Sequence, residues 1–190
     1  MHYNRLFHKI TDYTDLEQQD QEVIRTLFRY ETRGKGSVLD ETGKYTDNVF
    51  FILSGYLRYF KTLDSGEELI IHLYAPGNFA TSLNGFFLGV KPEETLETLT
   101  DCEFLHITKN DLEKLYETNN KWQRFGRKLM ESFLIEKEER IIDQLSLTAH
   151  DRYLKLLKNQ PDIIRNVPVK YIASFIGIQP ESLSRIRKIH

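Results

Sequence analysis

Hydrophobic spacing along the chain changes period twice. Leu16, Val23 and Leu27 recur at helical intervals behind Thr14 and Glu17, a pair that reads as a capping box, so the spacing predicts a first helix over roughly residues 14 to 30. From Gly34 to Ile107 the pattern shortens to apolar or alternating runs: Val49 to Leu53, Tyr56 to Phe60, Leu69 to Leu73 and Phe104 to Ile107. Thr42-Gly43-Lys44, Ser54-Gly55, Asp64-Ser65-Gly66 and Pro76-Gly77 separate these runs as turns in which glycine supplies a positive φ or proline sets the corner. Many short strands at close spacing predict a sandwich or barrel. After Ile107 the helical period returns, with Thr108 as N-cap, Asp111 in the first turn, and a long helix from about Lys121 to Leu147. A shorter helix is expected near Ala149 to Lys158, ending before Pro161.

The long helix carries Trp122, Phe125, Leu129 and Phe133 on one side and Met130, Leu134, Ile141 and Leu145 on another, with Glu136 to Arg140 as a charged interruption. One face covers the strands. The other is left for a second copy of the chain, which predicts a homodimer; the plainer alternative is a helix packed wholly within one chain.

Composition narrows the class. The 190 residues are 40% hydrophobic and 28% charged, which excludes a predominantly disordered polymer. No apolar run approaches the ~18 residues a membrane span needs, and the start Met1-His2-Tyr3-Asn4-Arg5 lacks the apolar segment of a secretory signal, so a cytoplasmic location is expected. The single cysteine, Cys102, excludes an intrachain disulfide or a thiolate cluster and reads as a small buried packing residue. The six histidines, at positions 2, 8, 72, 106, 150 and 190, show no metal-ligand spacing. No Ser/His/Asp or Cys/His set is recognisable, so no catalytic residue, metal or cofactor is assigned and an enzyme such as a metal cupin is not expected. The net charge of -2 hides an asymmetry: residues 151 to 190 hold eight basic side chains against three acidic ones, a net of +5 that leaves -7 for the rest. A basic end on an acidic body suits a polyanion-binding face, and a solvated helix surface gives the same count.

The segment Val169 to Ile186, VKYIASFIGIQPESLSRI, carries the functional signal. A helix-turn-helix needs a small residue where its helices cross, supplied by Ala173, and a residue tolerant of positive φ four positions later, supplied by Gly177. Ile172, Ile176, Ile178, Leu183 and Ile186 then close a miniature core, and Pro180 sits in the first turn of the second helix, where its missing N–H costs nothing. Gln179, Glu181, Ser182, Ser184, Arg185 and Lys188 are left facing outward. Glu181 and Arg185 are i,i+4 neighbours; a carboxylate there can accept from cytosine N4 and a guanidinium can donate to guanine O6 and N7, while the plainer alternative is an intrahelical ion pair. Lys170, Ser182 and Lys188 suit phosphate contacts.

By these residues the chain resembles the Crp/Fnr family of bacterial regulators, relatives of the cyclic-AMP receptor protein. VFFILSGYLRYFKTLDSGEELIIHLYAPGNF (49 to 79) is similar to the family's β-roll signature, the helix from Lys121 resembles its dimer helix, and 167 to 188 match its helix-turn-helix without a gap. The resemblance implies an α+β fold: an N-terminal double-stranded β-helix over residues 1 to 120, a dimerisation helix over 121 to 148, and a DNA-binding helix-turn-helix over 149 to 190, similar to short Bacteroidetes-type members and lacking a full wing. Glu181 and Arg185 fall where the family places its base-reading residues, and Pro180 replaces a further arginine. Double-stranded DNA, a second copy of the chain, RNA polymerase and a small-molecule effector of unknown identity are the partners implied. A regulatory module that binds a ligand or protein and no longer reads DNA is the alternative.

The effector region departs from the family. A buried cyclic phosphate requires a cation, yet the family's Gly-Glu pair aligns with Thr81-Ser82 and the arginine region reads Lys91-Pro92-Glu93-Glu94-Thr95. Lys91 is the one basic residue from Gly77 to Cys102, against Glu93, Glu94, Glu97 and Asp101. Phe79, Thr81, Ser82, Leu83, Glu93 and Thr95 are the pocket candidates, and the expected effector is not cyclic AMP. Iron–sulfur sensing is not expected with Cys102 alone.

Overall fold

The computed structural model describes residues 2–188; His190, one of the six histidines, lies outside them. Helices α1 (Asn4–Thr11) and α2 (Gln18–Leu27) precede the strands β1 (Arg29–Arg33), β2 (Val38–Asp40), β3 (Asn48–Ser54), β4 (Leu57–Thr62), β5 (Glu68–Tyr74) and β6 (Phe79–Ala80). Helix α3 (Leu83–Leu88) leads to β7 (Glu94–Thr98) and β8 (Cys102–Thr108). The chain then runs through α4 (Lys109–Thr118), α5 (Asn120–Ser146), α6 (Ala149–Asn159), α7 (Pro161–Asn166), α8 (Val169–Ile176) and α9 (Pro180–Arg187).

The strands form two antiparallel four-stranded sheets, ordered β1-β8-β3-β6 and β2-β7-β4-β5. Period-two alternation sorts their side chains. In β8, Cys102 and Phe104 enter the roll with Phe50, Ile52, Leu57, Tyr59 and Leu96, whereas Leu105 and Ile107 join Phe51 against the helices. That outer layer is built by Leu6, Phe7 and Ile10 of α1, Ile24 of α2, Leu115 of α4, and Trp122 and Phe125 of α5. A helix layer covering one sheet explains why β3 reads as a nearly continuous apolar run.

The expected helix over 14 to 30 is corrected by the structure. Glu17, not Thr14, caps α2: its carboxylate takes the N3 amide while its own N–H donates to Asp20 Oδ2 at 2.7 Å. Helix α1 lies ahead of it, and Phe28 turns extended so that the next five residues pair with β8 as β1. β1 exposes nearly all its side chains and therefore shows no hydrophobic period; the pairing with β8 defines it. At the far end of the roll Thr108 caps α4 as the sequence predicts, accepting from Asp111 N–H at 3.1 Å.

Helix α5 bares an apolar face in its second half. Trp122 and Phe125 are buried, while Leu134 is 68% exposed and Leu145 84% exposed, with Ile135, Ile141 and Ile142 exposed beside them. The charged interruption in this helix bridges two parts of the molecule: Arg140 donates to Ile71 O of β5 and, at 3.0 Å, to Phe175 O of α8. Helices α6 to α9 close one core with the roll, in which Tyr153, Ile163, Ile172, Ala173 and Leu183 meet Phe60, Ile70, Leu73 and Leu99. No helix among the described residues is long and apolar enough to cross a membrane.

Candidate nucleic-acid interface and the roll interior

Helix α8 ends because Gly177 adopts φ 75°, ψ 41°, a conformation that costs other L-residues energy. Gly177 N–H donates to Ser174 O at 3.1 Å and Ile178 N–H to Ala173 O at 3.0 Å, the pair of bonds that defines a Schellman cap. The chain reverses there, Gln179 takes the N-cap position of α9 without a side-chain capping bond, and Pro180 occupies its first turn. Leu183 is fully buried against α8, which contributes about 1.5–3 kcal/mol to holding the second helix in place. Ala173, also fully buried, leaves room for the crossing.

This packing decides what α9 presents. Gln179, Glu181, Ser184, Arg185 and Lys188 are exposed together with Lys170 on α8, whereas Ser182 is half-buried. Glu181 and Arg185 form no ion pair with each other, and none with any other residue, among the described residues. Lys170 Nζ lies 4.6 Å from the centre of the Tyr171 ring, so its charge stays near the surface of α8.

The helix-turn-helix is anchored to the roll by its first helix. The Arg58 guanidinium, buried on β4, stacks over Phe60 at 3.9 Å and over Tyr171 of α8 at 4.5 Å. It is held in that position by Glu68, which takes two of its bonds, and by Glu97 at 2.7 Å. His72 on β5 is buried where three elements converge, with Lys137 Nζ of α5 3.0 Å from its Nδ1 and the Phe175 ring of α8 at 6.2 Å. Burial, with Lys137 and Arg140 nearby, holds the imidazole well below its ordinary pKa.

Inside the roll, the sequence candidates separate. Thr81 and Ser82 are buried together: Thr81 Oγ1 donates to Asn48 O at 2.8 Å, and Ser82 caps α3. Phe79 and Leu83 border an apolar cavity on the helix side, which Thr81 also lines. Glu93 is exposed and ion-paired with Lys61, and Thr95 Oγ1 meets Thr42 Oγ1 at 3.0 Å on the outer face of β7.

Residues that the sequence reading missed complete the interior. Asp40, 2% exposed, accepts the Ser82 N–H at 2.9 Å and a hydroxyl bond from Thr46. Burial raises its pKa, opposed by those two hydrogen bonds. Tyr59 Oη reaches Ser82 Oγ at 3.4 Å and donates to Glu94 Oε2 at 3.2 Å. These residues do not fit a cyclic phosphate, because the amide at the start of α3 is already bound by a carboxylate and the flanking charges are acidic. The cations around this site are otherwise engaged or exposed: Lys109 Nζ donates to Phe86 O of α3 at 2.8 Å, Lys61 pairs with Glu93, and Lys91 is exposed with its Nζ 5.6 Å from the Tyr45 ring.

The comparisons agree with this architecture. Residues 16–119 match the family model described as cyclic nucleotide-binding domain. A search of curated proteins finds no significant match. Among solved structures, FixK2 from Bradyrhizobium japonicum is similar at 17% identity over 86% of this chain and 84% of its own, with a TM-score of 0.75. The catabolite activator protein of Thermus thermophilus matches at 19% identity over 98% and 86%, with a TM-score of 0.60. A Crp/Fnr family structure from Eubacterium rectale matches at 16% identity over 92% and 83%, with a TM-score of 0.69. The protein thus belongs to the cyclic nucleotide-binding domain family and carries the fold of the Crp/Fnr regulators.

Proposed function

We propose that the protein is a sequence-specific DNA-binding transcription regulator that acts as a homodimer and does not answer to cyclic AMP. The observation that carries this reading is that Glu181 and Arg185 on α9, the second helix of a closed helix-turn-helix, are exposed and have no ion-pair partner among the described residues. A guanidinium and a carboxylate one helical turn apart, free of each other, suit base edges in a major groove; Lys170, Gln179, Ser182, Ser184 and Lys188 around them suit phosphates or flanking bases. Ser182 is the least accessible of these, which favours a backbone contact for it. The bare apolar stripe of α5 supports pairing with a second copy, and pairing presents two recognition helices to two half-sites. An amide already bound by Asp40 supports an effector other than a cyclic nucleotide.

Binding selection on genomic fragments followed by fluorescence anisotropy tests the reading. Arg185→Ala is expected to lose ~1–3 kcal/mol on the selected site and little on random duplex. Equal loss on both would reduce Arg185 to a phosphate contact, and equal affinity of the wild type for every duplex would remove the reading altogether.

A further inference from the structure

A cavity of about 270 Å³ lies between the helix-facing side of the β1-β8-β3-β6 sheet and the helices α1, α3, α4 and α5. It opens mainly on the helix side and reaches the edge of the roll interior, where Tyr74 and Thr81 line it. Phe51 and Phe79 belong to the helix-side cluster that borders it, while Phe50 and Ala80, their neighbours in sequence, face inward. Its walls include Tyr13, Phe79, Leu112, Trp122, Phe125 and Met130. The volume is nearly twice that of the ~150 Å³ dry apolar cavity that accepts a benzene ring.

One polar group inside this wall is unspent. Tyr116 borders the cavity, and its hydroxyl makes no hydrogen bond among the described residues. Its place depends on Gly126 of α5, where any Cβ would collide with Tyr116 Oη. Burial raises the phenol pKa, so the group is a donor at neutral pH.

We propose that this cavity binds a small, largely apolar aromatic molecule of about two rings that carries one hydroxyl-type group, packed among Phe79, Leu112, Leu129 and Phe133 beside the buried Trp122 and hydrogen-bonded to Tyr116. An apolar pocket with one placed polar group is the usual form of a small-molecule site. A second copy of α5 does not fit: a helix is ≈ 10–12 Å across. The rim also turns charged at Lys9, Arg127 and Glu136, while the bare apolar stripe runs beyond it through Leu134, Ile141 and Leu145. Met130 and Phe133 line the cavity from α5, so an occupant touches the helix that carries that stripe. The inference does not depend on DNA reading.

Trp122 is the only tryptophan in the chain, which makes its emission a direct reporter. The full-length protein is titrated with 2-naphthol and, separately, with naphthalene. Saturable quenching by both is expected. Tyr116→Phe should weaken 2-naphthol about 2- to 10-fold and leave naphthalene unchanged, while Leu129→Phe, which fills the cavity, should abolish both responses with cooperative unfolding retained. Absence of saturable quenching overturns the proposal, as does unchanged binding to Leu129→Phe or an equal effect of Tyr116→Phe on the two probes. Binding confined to dilutions at which the protein is monomeric would assign the cavity to a second copy and overturn it as well. Each of these outcomes leaves the anisotropy result untouched, so the two readings fail separately.

Discussion

Ser174 Oγ accepts the backbone N–H of Ile70 at 3.0 Å and donates to Glu68 O at 3.2 Å. One hydroxyl on the first helix of the helix-turn-helix thereby occupies the open edge of β5, the outermost strand of its sheet. Unpaired edges invite association with other chains, and here the chain covers its own. Ile70 is 1% exposed, so its N–H has no route to solvent once the hydroxyl is removed. Ser174→Ala should cost about 1–3 kcal/mol in urea unfolding, and Ser174→Thr, which keeps the hydroxyl, should recover part of it. An unchanged midpoint for Ser174→Ala would mean that the edge is held by Arg140 and the apolar core alone.

Asp40 allows a sharper contrast because two substitutions differ only in what they leave paired. Asparagine can still accept from Ser82 N–H and offer its amide to the Thr46 hydroxyl, whereas alanine leaves a fully buried N–H without a partner. Asp40→Ala is expected to lose about 1–3 kcal/mol and Asp40→Asn close to nothing. Since burial raises the Asp40 pKa, the ionised carboxylate is itself penalised on folding, and Asp40→Asn removes that penalty at neutral pH. Chemical denaturation of the two variants side by side decides the matter.

Two pH effects meet at His72. Its folded pKa is held well below 6.5 by burial and by Lys137 and Arg140, so below that pH the unfolded chain binds a proton the native state refuses, and stability falls as the solution is acidified. Lys137 is lowered from 10.5 to about 8, first by burial and then by Arg140. Between those values the unfolded state again holds the extra proton, so this group makes stability rise with pH from about 8 upward. Buried Tyr74 acts in the opposite sense once tyrosines of the unfolded chain ionise near 10. Denaturation between pH 5.5 and 9.5 should show both slopes, with His72→Gln flattening the acid limb and Lys137→Met the alkaline one.

Leu134, Ile141 and Leu145 are exposed on one stripe of α5, a pattern that in isolation invites aggregation. If a second copy covers it, Leu145→Glu combined with Ile141→Glu should convert a sedimenting dimer into a monomer while the far-ultraviolet circular dichroism is preserved. A wild type that sediments as a monomer at micromolar concentration would contradict the dimer and remove the two-half-site argument with it.

Much of the architecture was legible in the amino-acid order because it depends on local chemistry. Gly177, Pro180 and the apolar set from Ile172 to Ile186 specify the helix-turn-helix through φ preference and helical spacing, and the structure has the positive φ at Gly177 and the proline in the first turn of α9. Glycine-punctuated runs likewise located β3, β4, β5 and β8. Strands β1, β2 and β7 did not announce themselves, since their residues are mostly polar or too few to show a period and become strands only because a neighbour supplies hydrogen bonds. What only the tertiary structure decided is the company each polar group keeps. Asp40 lies far in sequence from Ser82, Arg140 from Ile71, and Ser174 from Ile70. Contacts across such separations follow from packing the whole chain at once, because burial makes an unpaired polar atom costly and each such atom takes whichever partner the fold brings within reach.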